Sequence, residues 1–412
     1  MRTRRRRKAA RNPRRDPRAA TAPRRGPVDN RLRAVVLLLV LFGLVMVYSA
    51  SSALSQEHFD GSSTVYFVSQ LSKAVVGLVL MFVLARIDYR IWARLAKPML
   101  WASAALLVGL IAPLPDRFTP QINGASRWLA VPGFTFQPIE VAKLALIVWL
   151  AATIVKKDTR IDEPWDGVAP LLVPPLFMAG LTVLQPDFKG ASTLLLLTFA
   201  MLWLGGVRMK YLLRMVAAVV PVGILVMVIE PYRMERIRAF FDRGEDMQGI
   251  SYQINQSLIS LGSGGWFGVG LGSSKQKFQF LPMAHTDFIV SIVGEELGLL
   301  GTLLLLAAFL YLGALGYRVA RRAPDGFGFL LASGITTMVL LSALLNMGVA
   351  TASLPTTGLP LPFISYGGTA LIVQLAAMGM LMSVSRDAVS VPRRREGFAR
   401  GLFGRRAWGD AA

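Results

Sequence analysis

Ten runs of apolar residues, each near the length of a bilayer crossing, recur along the chain and leave it few ways to fold. A hydrocarbon core of roughly 30 Å is crossed by about 18–25 helical residues. In lipid, backbone N–H and C=O groups must pair internally, so the runs predict helices rather than an open sheet. They lie near Leu32–Ala53, Tyr66–Ala85, Pro98–Leu114, Ile139–Val155, Val168–Gln185, Ala191–Val207, Leu212–Ile229, Phe288–Leu312, Phe327–Ala352 and Gly368–Val384. Prolines at 170, 174 and 175 start or bend the fifth. The expected fold class is an all-α polytopic membrane protein with about ten transmembrane helices. Composition agrees: 17% of residues are charged, against roughly 25% in soluble domains.

Charge gives the helices a direction. Arg and Lys crowd into alternate connections and both tails, and fourteen of the first 33 residues are basic. By the positive-inside rule both termini are cytoplasmic. Residues 1–30 are expected as a disordered basic cytoplasmic tail touching anionic lipid rather than nucleic acid. Residues 31–386 form the transmembrane domain, and 387–412 a second cytoplasmic tail. No removable signal peptide is read. A large extracytoplasmic loop, 231–286, joins spans seven and eight. Its apolar residues, such as Tyr252, Leu258 and Trp266, predict short helices at the outer membrane surface.

With no cysteine, disulfides and thiolate chemistry are excluded, and two histidines cannot build a multi-histidine metal site. The polar residues near spans carry the functional signal, because ionisable groups are costly there. Glu140 and Lys143, three apart on the fourth span, share a helix face beside Asn123-Gly124-Ala125-Ser126-Arg127-Trp128. They read as a cavity pair or as a packing ion pair. Asp187, in Gln185-Pro186-Asp187-Phe188-Lys189-Gly190, reads first as an N-cap for the sixth span. Lys73 snorkels or pairs within the bundle.

The densest cluster runs from Lys275 and Lys277 to His285, Thr286 and Asp287 at the mouth of the eighth span. Thr286 is expected to cap that helix, with Asp287 in its first turn and Ser291 and Glu295 on the same face, deeper. An acid beside a sugar hydroxyl serves as a general base, and nearby cations hold a phosphate leaving group. The glycines from Gly268 to Gly272 follow no strand, so a nucleotide loop is not expected.

Six segments in order resemble the SEDS family (shape, elongation, division and sporulation) of bacterial membrane proteins. They are Val47-Tyr48-Ser49-Ala50-Ser51; Asn123 to Leu129; Phe136-Gln137-Pro138 with Glu140 and Lys143; Gln185 to Phe188; Ala284 to Ile289 with Gly294-Glu295-Glu296; and Gly358 to Gly368, including Ser365. The resemblance covers nearly all of the chain after the basic tail. It implies a peptidoglycan glycosyltransferase that polymerises lipid II at the outer face of the cytoplasmic membrane, with Asp287 as the base. It also implies substrate contacts at Glu140, Lys143, Arg127, Lys275, Lys277, His285, Asp187, Glu295 and Ser365. No cofactor is required, though a divalent cation, Mg or Mn, is compatible with a diphosphate. Tyr48 to Ser51 and Gln276-Lys277 resemble the division branch more than the elongation branch. The implied partners are a class B penicillin-binding protein, other division proteins and membrane lipids, at the division septum. Departures from the family pattern stand at Met283, Ile139, Lys189 and Thr369-Ala370. A lipid II flippase is the competing reading, since Glu140 and Lys143 suit either, but only a polymerase needs an acid at the outer mouth.

Overall fold

The structure, a computed structural model, describes residues 26–59, 61–112, 115, 118–120, 127–131, 134–157, 163–229, 234, 240 and 250–389. Most of both expected tails, residues 123–126 and nearly all of 230–249 lie outside the described residues.

Each of the ten predicted segments contains a helix. The helices are α1 (Asn30–His58), α2 (Val65–Leu84), α3 (Arg90–Gly109), α4 (Pro138–Lys156), α5 (Ala169–Leu184), α6 (Phe188–Leu204), α7 (Met209–Ile229), α9 (Ile289–Arg322), α10 (Gly326–Ala350) and α11 (Gly368–Val389). Nine of the described helices are long and apolar enough to cross a membrane, α5 when it is taken together with the turn before it as Asp166–Leu184, and α6 is apolar but shorter at 17 residues. The large loop contributes α8 (Ile250–Ser263), as its apolar content predicts. A short antiparallel pairing of three residues a side, β1 (Leu129–Val131) on β2 (Phe134–Phe136), leads into α4. A π-helical turn at Pro164–Val168 leads into α5.

The helix ends follow local chemistry. Asp29 caps α1, its carboxylate accepting from Arg31 N and Leu32 N at 2.9 and 3.3 Å. Pro138 opens α4, where its missing N–H costs nothing. The core centres on α4, whose residues from Ala142 to Ala152 are all buried. α3, α5, α6, α10 and α11 pack around it, and α2 lies along α11. Outward-facing Leu38, Trp101, Leu184 and Leu304 are each more than 60% exposed. An apolar belt of that kind is stable against acyl chains and not against water.

The two ends of the described chain meet at one face. Gly26 N donates to Arg386 O, and Arg386 Nε donates back to Gly26 O. At the same end Arg90 pairs with Asp325 and Asp387 at 3.2 and 3.0 Å, tying α3 to α10 and α11.

α9 is not one smooth rod. Gly298 adopts φ 69°, ψ −168°, and the helix breaks there. The backbone from Gly265 to Gly270 fills the gap: Val269 N and Gly270 N donate to Glu295 O and Glu296 O, while Leu299 N and Leu300 N donate to Gly265 O and Trp266 O. Every one of these is a group that the break takes out of the helical ladder. The glycine run that carries no nucleotide-binding role thus completes a broken helix.

Candidate active site

The two sides of the Lys275–Asp287 cluster do different work. Glu295 is 3% exposed. It accepts from Lys275 N at 2.9 Å and from the hydroxyls of Ser274 and Ser260. Glu296 accepts from Ser49 Oγ at 2.6 Å, and Lys277 Nζ lies 3.7 Å from it while donating to Gly272 O. The Glu295–Glu296 pair therefore pins the outer loop to α9 and α1. Lys277 is consumed in that anchor, and the Lys275 side chain is exposed on its surface. A cavity of about 450 Å³ opens beside the anchor, lined among others by Tyr48, Ser49, Gln56, Leu271 and Lys277. Asp287 does not line it, so the chemistry is better located by the acid's own surroundings.

The helix after Asp287 starts two residues later than the sequence predicts. α9 begins at Ile289 and Phe288 occupies the cap position. Thr286 Oγ1 donates to Met283 O instead of capping. The cause is a tight turn in which Met283 O accepts the N–H groups of Thr286, Asp287 and Phe288. Asp287 is half-buried ahead of the helix rather than in its first turn. Two buried residues fix this turn from behind. Asn346 Nδ2 donates to Asp287 O at 2.8 Å and to Leu359 O at 2.7 Å. Ser365 Oγ donates to Thr286 O at 2.5 Å. Ser365 is thus a positioning residue for the acid.

His285 packs among Tyr66 and Tyr366, with ring centroids 5.2 and 5.7 Å away. Burial pushes its imidazole down to about 4, because the charged form loses its water. Near neutral pH it is an uncharged ring, not a cation for a phosphate.

The turn into α6 carries Asp187 and Lys189 and is joined by Arg127 from the segment before β1. Asp187 is 2% exposed and caps α6, accepting from Gly190 N at 3.2 Å, as its position predicts. Arg127 Nη2 donates to Pro186 O in the same turn. Lys189 Nζ donates to Gly358 O at 2.6 Å. Gly358 has φ 71°, and a methyl group there would sit 3.4 Å from Asp287 Oδ2 and 3.6 Å from Lys189 Nζ. The acid and this lysine flank one glycine. Ile139, at the start of α4, packs on Gly190, but the Glu140 and Lys143 side chains that follow it bond to each other. That pair is closed on itself at 2.8 Å, with both side chains almost fully buried. Asn346 and Lys189 were not legible as site residues: their partners lie 59 and 169 residues away in the chain. The extra cation beside a capping aspartate was the one available hint.

Among the described residues no three His, Asp or Glu side chains gather closely enough to hold a metal ion.

Residues 29–389 match the family model of FtsW, RodA and SpoVE, described as cell cycle proteins. The chain belongs to this family. It is 42% identical to a probable peptidoglycan glycosyltransferase FtsW of Trichlorobacter lovleyi, over 88% of this chain and 94% of that protein. It is 37% identical to stage V sporulation protein E of Bacillus subtilis, over 87% and 97%. Among solved structures, a chain of a peptidoglycan synthase complex that coordinates polymerization and crosslinking aligns with TM-score 0.72 and 30% identity, over 88% of this chain and 98% of that one. The rod shape determining protein RodA of Thermus thermophilus aligns with TM-score 0.65 and 29% identity, over 87% and 97%. The family resemblance read from six short segments is therefore confirmed along nearly the whole described chain, and the helical fold aligns with those of the solved relatives.

Proposed function

We propose that this FtsW/RodA/SpoVE family member is a peptidoglycan glycosyltransferase that polymerises lipid II, with Asp287 as general base. The enzyme class is that of its named relatives. The observation that carries the catalytic assignment is the placement of Asp287: a half-buried carboxylate on a turn braced by Asn346 and Ser365, with Lys189 across Gly358. Asp287 takes the proton of the acceptor sugar hydroxyl as its oxygen attacks the anomeric carbon of the donor. The bond from that carbon to the diphosphate breaks, and undecaprenyl diphosphate leaves with the electron pair. A base within hydrogen-bond reach of the proton it removes contributes about 10²–10⁴-fold.

Buried polar atoms with no partner among the described residues, Arg127 Nε, Asn346 Oδ1 and Thr357 Oγ1, support a polar ligand here, since native interiors leave few such atoms. The solved complex that coordinates polymerization and crosslinking supports a crosslinking partner, which we take to be a class B penicillin-binding protein, and the relatives named FtsW favour the division branch, with a septal address in a bacterial cytoplasmic membrane. The test is polymerisation of purified lipid II by the full chain with that partner. Asp287→Asn is expected to abolish glycan strands at an unchanged melting temperature. Undiminished strands from Asp287→Asn would sink the base assignment. Lipid II translocation in liposomes without strands would favour the flippase.

A further inference from the structure

The family resemblance implies Arg127, Lys275 and Lys277 as diphosphate or substrate contacts and Lys143 as half of a cavity pair. Their surroundings sort them. Lys143 is neutralised by Glu140 at 2.8 Å inside the bundle. Lys277 is held between Glu296 and Gly272 O. Lys275 stands on the exposed side of the Glu295 anchor. Arg127 is spent in part on Pro186 O. Lys189 is the cation that shares Gly358 with Asp287.

Its geometry suits a ligand. A lysine ammonium has three N–H donors. Gly358 O takes one, and no other acceptor among the described residues takes the remaining two. Lys189 is half-buried, so a phosphate reaching it would be partly stripped of water and bound more strongly than at an open surface. Gly358 brings ammonium and carboxylate to one place: a methyl group on it would contact both. The turn is rigid on its other side, fixed by the Asp187 cap and by Arg127 on Pro186 O. Arg127 keeps a buried Nε with no partner among the described residues.

We infer that Lys189 binds the diphosphate of the polyprenyl-linked donor, with Arg127 beside it, and so holds the leaving group across Gly358 from Asp287. The inference rests on the reaction proposed above. The bond from the anomeric carbon to a diphosphate oxygen breaks as the acceptor oxygen bonds to that carbon. The negative charge developing on the diphosphate is then met by the ammonium. Asp287, on the far side of the glycine, keeps the acceptor proton.

The test separates binding from chemistry. Affinity for undecaprenyl diphosphate is measured on the full chain in nanodiscs, with undecaprenyl phosphate as a second probe. Lys189→Met is expected to weaken the diphosphate about tenfold or more, as expected for losing a charge-assisted contact. It should lower kcat/KM for lipid II polymerisation at least as much. Lys189→Arg is expected to restore most of both, and the monophosphate should lose less. Wild-type diphosphate affinity in Lys189→Met would overturn the inference. So would equal losses in Lys189→Met and Lys189→Arg together with a lower melting temperature, which would reduce Lys189 to a pin for Gly358. Lys189-dependent diphosphate binding by a wild-type chain that forms no glycan would uphold this inference and reject the polymerase reading.

Discussion

Glu140 and Lys143 show how little a residue's type says about its worth once it is buried. Their 2.8 Å pair sits almost wholly inside the bundle, where desolvation offsets most of the mutual attraction. Breaking it is another matter, because one charge is then left alone. Lys143→Met is expected to cost roughly 3–5 kcal/mol, and adding Glu140→Gln should recover a large part. Thermal melts of the three variants in detergent check this, and a single mutant as stable as the double would contradict it. His285 makes a second case. Its imidazole is held at about 4 by burial, below an unfolded value near 6.5. The unfolded chain therefore binds more protons between those values. The contribution of His285 to stability is full above about pH 6.5 and is lost as pH falls toward 4. His285→Phe should flatten that part of the stability–pH curve, measured by melting temperature across pH 4 to 7. Asp287 was visible in the sequence because an acid among cations is conspicuous beside a long apolar run. Lys189 was visible only as an oddity in a turn, because the glycine that gives it meaning is brought to it by the fold.

At the scale of elements, hydropathy exposed the helices and concealed their joints. An apolar run reports how much chain lipid can surround. It does not report where backbone hydrogen bonds change partner. In a run such as Leu297-Gly298-Leu299-Leu300, one glycine reads as a minor weakness of about 0.8–1 kcal/mol. The structure makes it the break that receives the Gly265–Gly270 backbone. Thr286 misled for the same reason: a hydroxyl before an apolar run predicts a cap, but the carbonyl of Met283 had already turned the chain. The break yields a sharp expectation. At φ 69°, ψ −168°, Gly298 occupies a region essentially closed to other residues, and a methyl group there would come within 2.4 Å of Gly268 N. Gly298→Ala is expected to cost more than the about 1–3 kcal/mol of backbone strain alone. It should release Gly265–Gly270 from α9. Amide hydrogen exchange reads this directly, through faster exchange at Val269 and Gly270, while α4 stays protected. Unchanged protection there would mean that the loop is held by its side chains instead.

For the whole molecule, the question is which end of the bundle faces outward. The described termini lie together, bonded through Gly26 and Arg386. That fits an even number of crossings. The charge pattern assigns that end to the cytoplasm, and the reaction needs the opposite end to face the outer leaflet, where Asp287, Lys189 and the Glu295–Glu296 anchor gather. α9 connects the two ends: beyond its break at Gly298, residues 299–322 rise at 1.5 Å each to about 36 Å, enough to carry Arg321 and Arg322 to the far side of the bilayer. The chain contains no cysteine, so a single introduced thiol reports one place without background. Ser273→Cys and Arg322→Cys both substitute exposed residues. In intact spheroplasts a membrane-impermeant maleimide is expected to label Ser273→Cys and to spare Arg322→Cys until the cells are lysed. Labelling of Arg322→Cys alone would invert the molecule and put the acid in the cytoplasm, where lipid II is not consumed by strand growth. Labelling of both in intact cells would mean that α9 does not cross. The expected pattern puts the base, Gly358 and Lys189 on the side from which a lipid-linked sugar can enter without leaving the membrane.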